Sequence, residues 1–121
     1  MSLQKRMDML KEGGIVDAQG YADLEVISRI FWEEEGIELG EENAGVMITH
    51  MATAFYRARR GEEIEGPAPE IMEGVVQESL YPRAQELFAV IENRINNTLS
   101  LPEKEYFLIH ICAVLIAARK R

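Results

Sequence analysis

Apolar residues recur at helical spacing along most of this 121-residue chain, and glycine or proline interrupts the pattern at intervals. Between residues 22 and 35 they follow one another at steps of three, three and one: Leu24, Ile27, Ile30 and Phe31. Such steps place side chains on one face of an α-helix, whereas a half-buried strand needs strict alternation. No alternating run of useful length is present. The sequence therefore predicts a single all-α bundle.

Glycine, proline and capping residues divide the chain into helical segments. Ser100 is followed three residues later by Glu103, which is the pattern of a capping box at the start of a helix. Pro82 can stand in the first turn of a helix but not inside one, so we expect a helix to begin there. The predicted helices cover residues 4–12, 22–35, 41–60, 70–80, 82–96 and 100–118, with a loop at 61–69.

Charge and composition exclude several classes of protein. The chain has 13 Lys and Arg residues against 21 Asp and Glu residues. Without a basic cluster to neutralise phosphates, direct binding of nucleic acid is not expected. The longest apolar run without charge, residues 106–118, is 13 residues long, which is too short to span a membrane. Cys112 is the only cysteine, so we predict a buried thiol in a cytoplasmic protein.

The usual catalytic signatures are missing from the sequence. It contains no glycine-rich phosphate loop, no Gly-x-Ser-x-Gly elbow and no His-Glu-x-x-His zinc helix. We therefore predict a protein that is not an enzyme, with no catalytic residue, no cofactor and no metal. A metal or small-ligand site built from the two histidines remains an alternative, although the Glu-x-x-His pair typical of metal sites in bundles is absent.

The two histidines, His50 and His110, have charged residues at helical spacing. His50 lies seven residues after Asn43 and seven before Arg57, and His110 lies seven residues after Glu103 and four after Tyr106. Residues seven apart share a helix face. An imidazole nitrogen can accept a phosphoryl group, a carboxylate can orient the other nitrogen, and a guanidinium can neutralise phosphate. Spacing alone favours the ordinary alternative, structural histidines satisfied by their neighbours.

Two sequence motifs resemble those of the PTS regulation domain of bacterial antiterminators and activators. The first contains His50, Arg57, Gly61, Ile64 and Pro67, and the second contains Glu103, His110 and Ile111. The resemblance covers roughly residues 20–118. We therefore expect residues 1–19 to form a short N-terminal helix or leader, and residues 20–121 to form the regulation domain.

This resemblance implies a compact bundle of about five helices that associates as a homodimer. It implies phosphorylation of His50 and His110 by the phosphocarrier protein or an enzyme II component of the sugar phosphotransferase system. Arg57 and Glu103 would be the helix partners of the histidines, and we expect Asn43 and Tyr106 to support them as well. Phosphorylation would shift the dimer between active and inactive forms.

The sequence departs from the family pattern in ways that bear on function. Gly66 stands where the family usually has asparagine, and one copy of the domain is present where family regulators usually have two. The roughly 20 residues before it are too few for an RNA-binding or DNA-binding domain. We therefore expect control of transcription or carbohydrate use to pass through a protein partner. A helical adaptor whose histidines have no function remains an alternative.

Acidic runs at residues 33–35, 41–42 and 62–63 have two interpretations. The simpler one is a set of solvated helix ends and a loop that keep the protein soluble. The other is that they steer a positively charged phosphocarrier toward His50, in which case added salt slows phosphoryl transfer.

Overall fold

The computed structural model describes residues 1–120, and all regular structure in that range is helical. Residue 121, the last of the predicted 20–121 unit, lies outside the described residues. The prediction of an all-α bundle is confirmed, with six helices rather than about five. They are α1 (Leu3–Glu12), α2 (Ala18–Glu35), α3 (Glu41–Arg59), α4 (Pro69–Val76), α5 (Tyr81–Arg94) and α6 (Leu101–Arg119).

Local capping explains where the helices begin and end. The Asp17 carboxylate accepts a hydrogen bond from the Gly20 backbone N–H at 2.7 Å, so α2 begins at Ala18 rather than at the predicted residue 22. The apolar stripe starts only at Leu24, which is why periodicity placed the helix too late. α2 ends where Gly36 adopts a left-handed conformation with φ of 65°, as glycine readily does.

The short helix α4 ends earlier than the sequence predicted. It stops at Val76 instead of running to Leu80, and residues 77–80 form turns. The next helix has Pro82 in its first turn. A proline has no backbone N–H, and its ring clashes with the carbonyl four residues earlier, so α4 cannot continue through Pro82 and the chain breaks ahead of α5. α4 has no buried residue and packs against α6.

The core lies between α3 and the helices around it, with α1, α2 and α6 all packed against α3. Leu3 and Met7 of α1 are buried in the same core as the other helices. The largest fully buried side chains are Phe31, Phe55, Phe107, Leu24, Ile27, Ile30, Met47, Ile48, Met51, Leu87, Ile91 and Ile111. The packing of α3 on α6 brings the two histidine motifs to one seam.

A buried carboxylate links α2 to the turn between α5 and α6. Asp23 is fully buried and accepts hydrogen bonds from the backbone N–H groups of Asn96 at 2.9 Å and Asn97 at 2.8 Å. The side-chain amides of both asparagines also donate to it. The sequence predicted a turn here but did not indicate that an aspartate 73 residues earlier would hold it.

The first acidic run forms ion pairs between helices. Arg83 of α5 bonds to Glu35 at 2.7 Å, and Arg94 bonds to Glu33 at 3.1 Å. These pairs join α2 to α5 at the surface, where each contributes little stability. No helix within residues 1–120 combines the length and apolar character needed to cross a membrane.

Candidate functional site

The two histidines lie against each other across the seam between α3 and α6. The ring centroids of His50 and His110 are 4.8 Å apart, and the ring planes are inclined by 44°. The Tyr106 ring lies 5.3 Å from that of His50. Residues 60 positions apart in the sequence therefore form one cluster, in which both rings are half-buried.

Burial lowers the pKa of both imidazoles below the ordinary value of 6.5. For His50, burial is the largest cause, the Glu103 carboxylate raises the pKa, and the Arg57 guanidinium lowers it. For His110, burial is again first, and the His50 ring lowers the pKa further. Both rings are therefore neutral at pH 7, so each has a nitrogen lone pair available to a phosphorus atom.

Glu103 is the buried anion of the cluster, with only 5% of its surface exposed. Arg57 reaches it from α3 with two hydrogen bonds, from Nε to Oε2 at 2.9 Å and from Nη2 to Oε1 at 3.2 Å. This two-pronged geometry is the strong form of the arginine–carboxylate pair. The spacing in the sequence placed Glu103 on the same helix face as His110. In the structure, the Glu103 carboxylate bonds instead to Arg57, the arginine of the other motif.

The same carboxylate faces one nitrogen of His50. Glu103 Oε1 lies 3.6 Å from His50 Nε2, just beyond hydrogen-bonding distance. Among residues 1–120, Nε2 of His50 is the one buried side-chain nitrogen or oxygen without a hydrogen-bond partner. The nearby negative oxygen favours a proton on Nε2, which places the lone pair on Nδ1.

Asn43 is not brought to the histidine cluster. Its side-chain oxygen accepts a hydrogen bond from the Gly40 N–H at 2.7 Å, and its amide donates to the Glu38 carbonyl at 3.1 Å. It closes the first turn of α3, roughly 10 Å along the helix axis from His50. A supporting role for Asn43 toward phosphate therefore stays a prediction, whereas Arg57, Glu103 and Tyr106 all lie beside the histidines.

A groove of about 420 Å³ opens beside His50 between α1 and α3. Arg6 of α1 lines it, and its Nη1 donates a hydrogen bond to Thr49 Oγ1 at 3.0 Å. The sequence did not indicate a role for Arg6, because a single sequence does not show which helix the apolar face of α1 packs against. The residues that line the groove are Arg6, Val46, Thr49, His50, Thr53 and Arg57.

The structure bears on two other kinds of reactive site, a metal centre and a nucleophilic thiol. In the described part of the chain, no group of three or more His, Cys, Asp or Glu side chains is arranged to hold a metal ion. Cys112 is buried, and its pKa is raised, chiefly by burial and further by Glu78. Its thiol is therefore protonated at neutral pH and is a poor nucleophile.

Comparison with known proteins identifies the family of the chain. The family model described as the PRD domain matches residues 25–114. A protein of Escherichia coli (strain K12), described as the uncharacterized protein YhfY, is 25% identical over 118 residues, which cover 98% of both chains. No solved structure matches the chain.

Proposed function

The chain belongs to the PRD domain family, and we propose that it is a regulatory protein phosphorylated on His50 and His110. The donor would be the phosphocarrier protein or an enzyme II component of the sugar phosphotransferase system, in the cytoplasm. One observation carries the proposal: the ring centroids of two histidines from separate motifs lie 4.8 Å apart. An arginine–carboxylate pair joins those same two motifs.

The chemistry at His50 follows from the position of Glu103. The phosphorus–nitrogen bond of the donor's phosphohistidine breaks, and its electron pair returns to the donor ring, which becomes neutral. The lone pair of His50 Nδ1 forms the new phosphorus–nitrogen bond. The proton stays on Nε2, and the resulting positive charge of the ring faces the Glu103 carboxylate at 3.6 Å, which stabilises it.

The position of the histidines suggests how the modification acts. A phosphoryl group adds about 1.5 to 2 negative charges and three acceptor oxygens. Placed on Nδ1 of His50, it lies beside Arg57, whose guanidinium also holds the buried Glu103 carboxylate of α6. Phosphorylation therefore changes the free energy of the α3–α6 contact itself, which is a way for a local charge to alter subunit or partner association.

A partly exposed apolar face on α6 supports the proposal of a homodimer. Tyr106, Ile109 and His110 are half-buried, and Ala113 and Ala117 are exposed. The spacing of these five residues places them on one side of the helix. A second copy packed there would cover apolar surface directly beside a phosphorylated histidine. Control of transcription or carbohydrate use would then pass through the dimer or a protein partner.

The test is phosphoryl transfer from phosphoenolpyruvate, through enzyme I and the phosphocarrier protein, to the chain. Acid-labile phosphate is measured by intact mass on the wild type and on His50→Ala, His110→Ala and the double variant. We expect label on the wild type, loss of one label in each single variant, and none in the double variant. A folded wild type that takes no label, even with an enzyme II component supplied, contradicts the proposal and favours a helical adaptor.

A further inference from the structure

The groove beside His50 contains a second arginine that the histidine motifs do not include. We infer that the groove formed by Arg6, Thr49, Thr53 and Arg57 binds the phosphoryl group carried by or delivered to His50, with Arg6 as a second phosphate-binding arginine. The inference rests on the proposed function and deepens it. Because α1 precedes the matched residues 25–114, membership of the family does not imply this role for Arg6.

The lining of the groove has the chemistry that recognises phosphate. Along α3, positions 46, 49, 50, 53 and 57 share one face of the helix, so Thr49 and Thr53 lie on the same face as His50. Arg6 completes the lining from α1. Guanidinium groups bind phosphate oxygens in a fork geometry. The Thr49 hydroxyl, which accepts from Arg6, can supply a further donor, whereas the Thr53 hydroxyl donates to the Thr49 carbonyl at 2.9 Å. Nε2 of His50 is buried, so Nδ1 is the nitrogen available from the groove.

Arg6 is held in place by a partner that leaves donors free. Its Nε donates to both carboxylate oxygens of Glu41, at 2.9 and 2.8 Å, and its Nη2 also bonds to Glu41. Its Nη1 uses one N–H for Thr49. A guanidinium has five N–H donors, so one on Nη1 and one on Nη2 remain for a phosphate oxygen while the ion pair stays intact.

Arg57 of α3 is likewise held by a carboxylate and keeps a free donor. Its Nε and Nη2 hold Glu103, and within residues 1–120 its Nη1 donates to no protein atom. The Arg57 side chain is about one quarter exposed, and it contacts both the buried carboxylate and the groove. Each arginine is therefore oriented by a carboxylate and retains donors, which is the preorganisation that a phosphate site requires.

The pairing also keeps both Arg6 and Glu41 charged at neutral pH. The hydrogen bond from Arg6 lowers the pKa of Glu41, and Glu41 in turn raises the pKa of Arg6. A phosphoryl group in the groove would contact α1 and α3 together, because Arg6 belongs to one helix and His50 to the other. Phosphorylation would then tighten the packing of α1 on α3.

The experiment uses phosphoramidate, a small phosphoryl donor that needs no protein docking. The full chain carries His110→Ala so that only His50 is labelled, and the rate of phosphohistidine formation and its lifetime are measured. Arg6→Gln is expected to lower the rate about tenfold or more, as the loss of a charge-assisted hydrogen bond implies. Arg6→Lys is expected to retain part of the rate because it keeps the charge.

Two control variants separate phosphate binding from helix packing. Glu41→Gln removes the charge of the same ion pair but keeps Arg6 and leaves an amide oxygen that can still accept from its Nε, so its rate is expected to fall less than that of Arg6→Gln. Arg83→Gln removes an arginine paired with carboxylates outside the groove and is expected to leave the rate unchanged. Thermal unfolding of each variant reports the packing of α1.

Each outcome bears on one proposal. If the parent takes label and Arg6→Gln takes it at the same rate, the inference is overturned and the proposed function stands. If Glu41→Gln slows labelling as much as Arg6→Gln, the effect belongs to α1 packing and the inference is again overturned. If the wild type takes no label from phosphoramidate or from the phosphotransfer proteins, the proposed function itself fails. If the wild type takes label but the His110→Ala parent takes none, His50 is not a phosphoacceptor and the inference is overturned.

Discussion

Arg57 of α3 and Glu103 of α6 form a two-pronged ion pair, at 2.9 and 3.2 Å, across the seam that carries both histidines. Glu103 is buried, whereas Arg57 keeps contact with the groove. The pair therefore has two roles. Arg57 balances the negative charge of Glu103 beside the His50 ring, and the pair joins the two helices whose packing brings His50 and His110 together.

Removal of the arginine should destabilise the fold. Arg57→Met leaves the Glu103 carboxylate buried without its cation, and we expect the free energy of unfolding to fall by about 3 kcal/mol. Glu103→Gln removes the charge along with the pair and should cost less, about 1 to 2 kcal/mol. Denaturant unfolding of both single variants and the double variant gives the coupling between them.

The matched control for this prediction is Arg94→Met. Its pair with Glu33 is exposed on both sides, and loss of such a pair should change stability by less than about 1 kcal/mol. If Arg57→Met is no more destabilising than Arg94→Met, the seam does not depend on the buried pair.

Stability should fall as the pH is lowered below 7. Burial depresses the pKa of His50 and His110 below 6.5 in the folded state, so the unfolded chain binds more protons between the folded and unfolded pKa values. The free energy of unfolding therefore decreases as the pH falls from the unfolded value through the folded values, and this contribution levels off below them. Urea unfolding at several pH values between 7 and 5 measures the slope.

The histidine contribution is isolated by the double variant with glutamine at both positions. The free energy of unfolding of this variant should change less between pH 7 and pH 5 than that of the wild type. Above pH 7, the free energy of unfolding should depend on pH with the same slope in both proteins. Equal slopes across the whole range would show that the rings are not desolvated in the folded protein.

Substitution of Asp23 should lower the free energy of unfolding more than substitution of a surface neighbour. Asp23→Ala leaves the backbone N–H groups of Asn96 and Asn97 without their acceptor, and we expect a loss of about 3 kcal/mol. Asp23→Asn should cost less because it retains one acceptor oxygen. Glu25→Gln, on the exposed side of the same helix, is the control and should stay within about 0.5 kcal/mol of the wild type. Thermal and denaturant unfolding compare the three.

The proposed dimer surface on α6 can be tested by introducing a charged side chain into it. Ala113 is exposed on the apolar face beside His110, so Ala113→Arg should convert a dimer to a monomer without unfolding it, because a buried unpaired charge is unfavourable. Light scattering after size exclusion, at several concentrations, gives the mass. Val76→Arg, at the exposed end of α4, should leave the mass unchanged. A wild type that is monomeric at all concentrations contradicts the proposed dimer.

Most of the fold was predictable because its signals are local. The apolar steps in α2 and the capping box at Ser100 each depend on residues within a turn or two, and α6 indeed begins at Leu101 with Ser100 accepting from the Glu103 N–H. The errors have local causes too. Asp17 starts α2 before its apolar stripe begins, and the turns before Pro82 end α4 early.

The sequence by itself determined the helices, their apolar faces and the two histidine motifs, because residues three, four and seven apart share a helix face wherever the helix packs. Only the tertiary structure decided that Glu103 bonds to Arg57 of the other motif and that Arg6 enters the groove of His50. Both contacts depend on which helix faces meet. That choice is made by the packing of the whole core, which no spacing within one helix records.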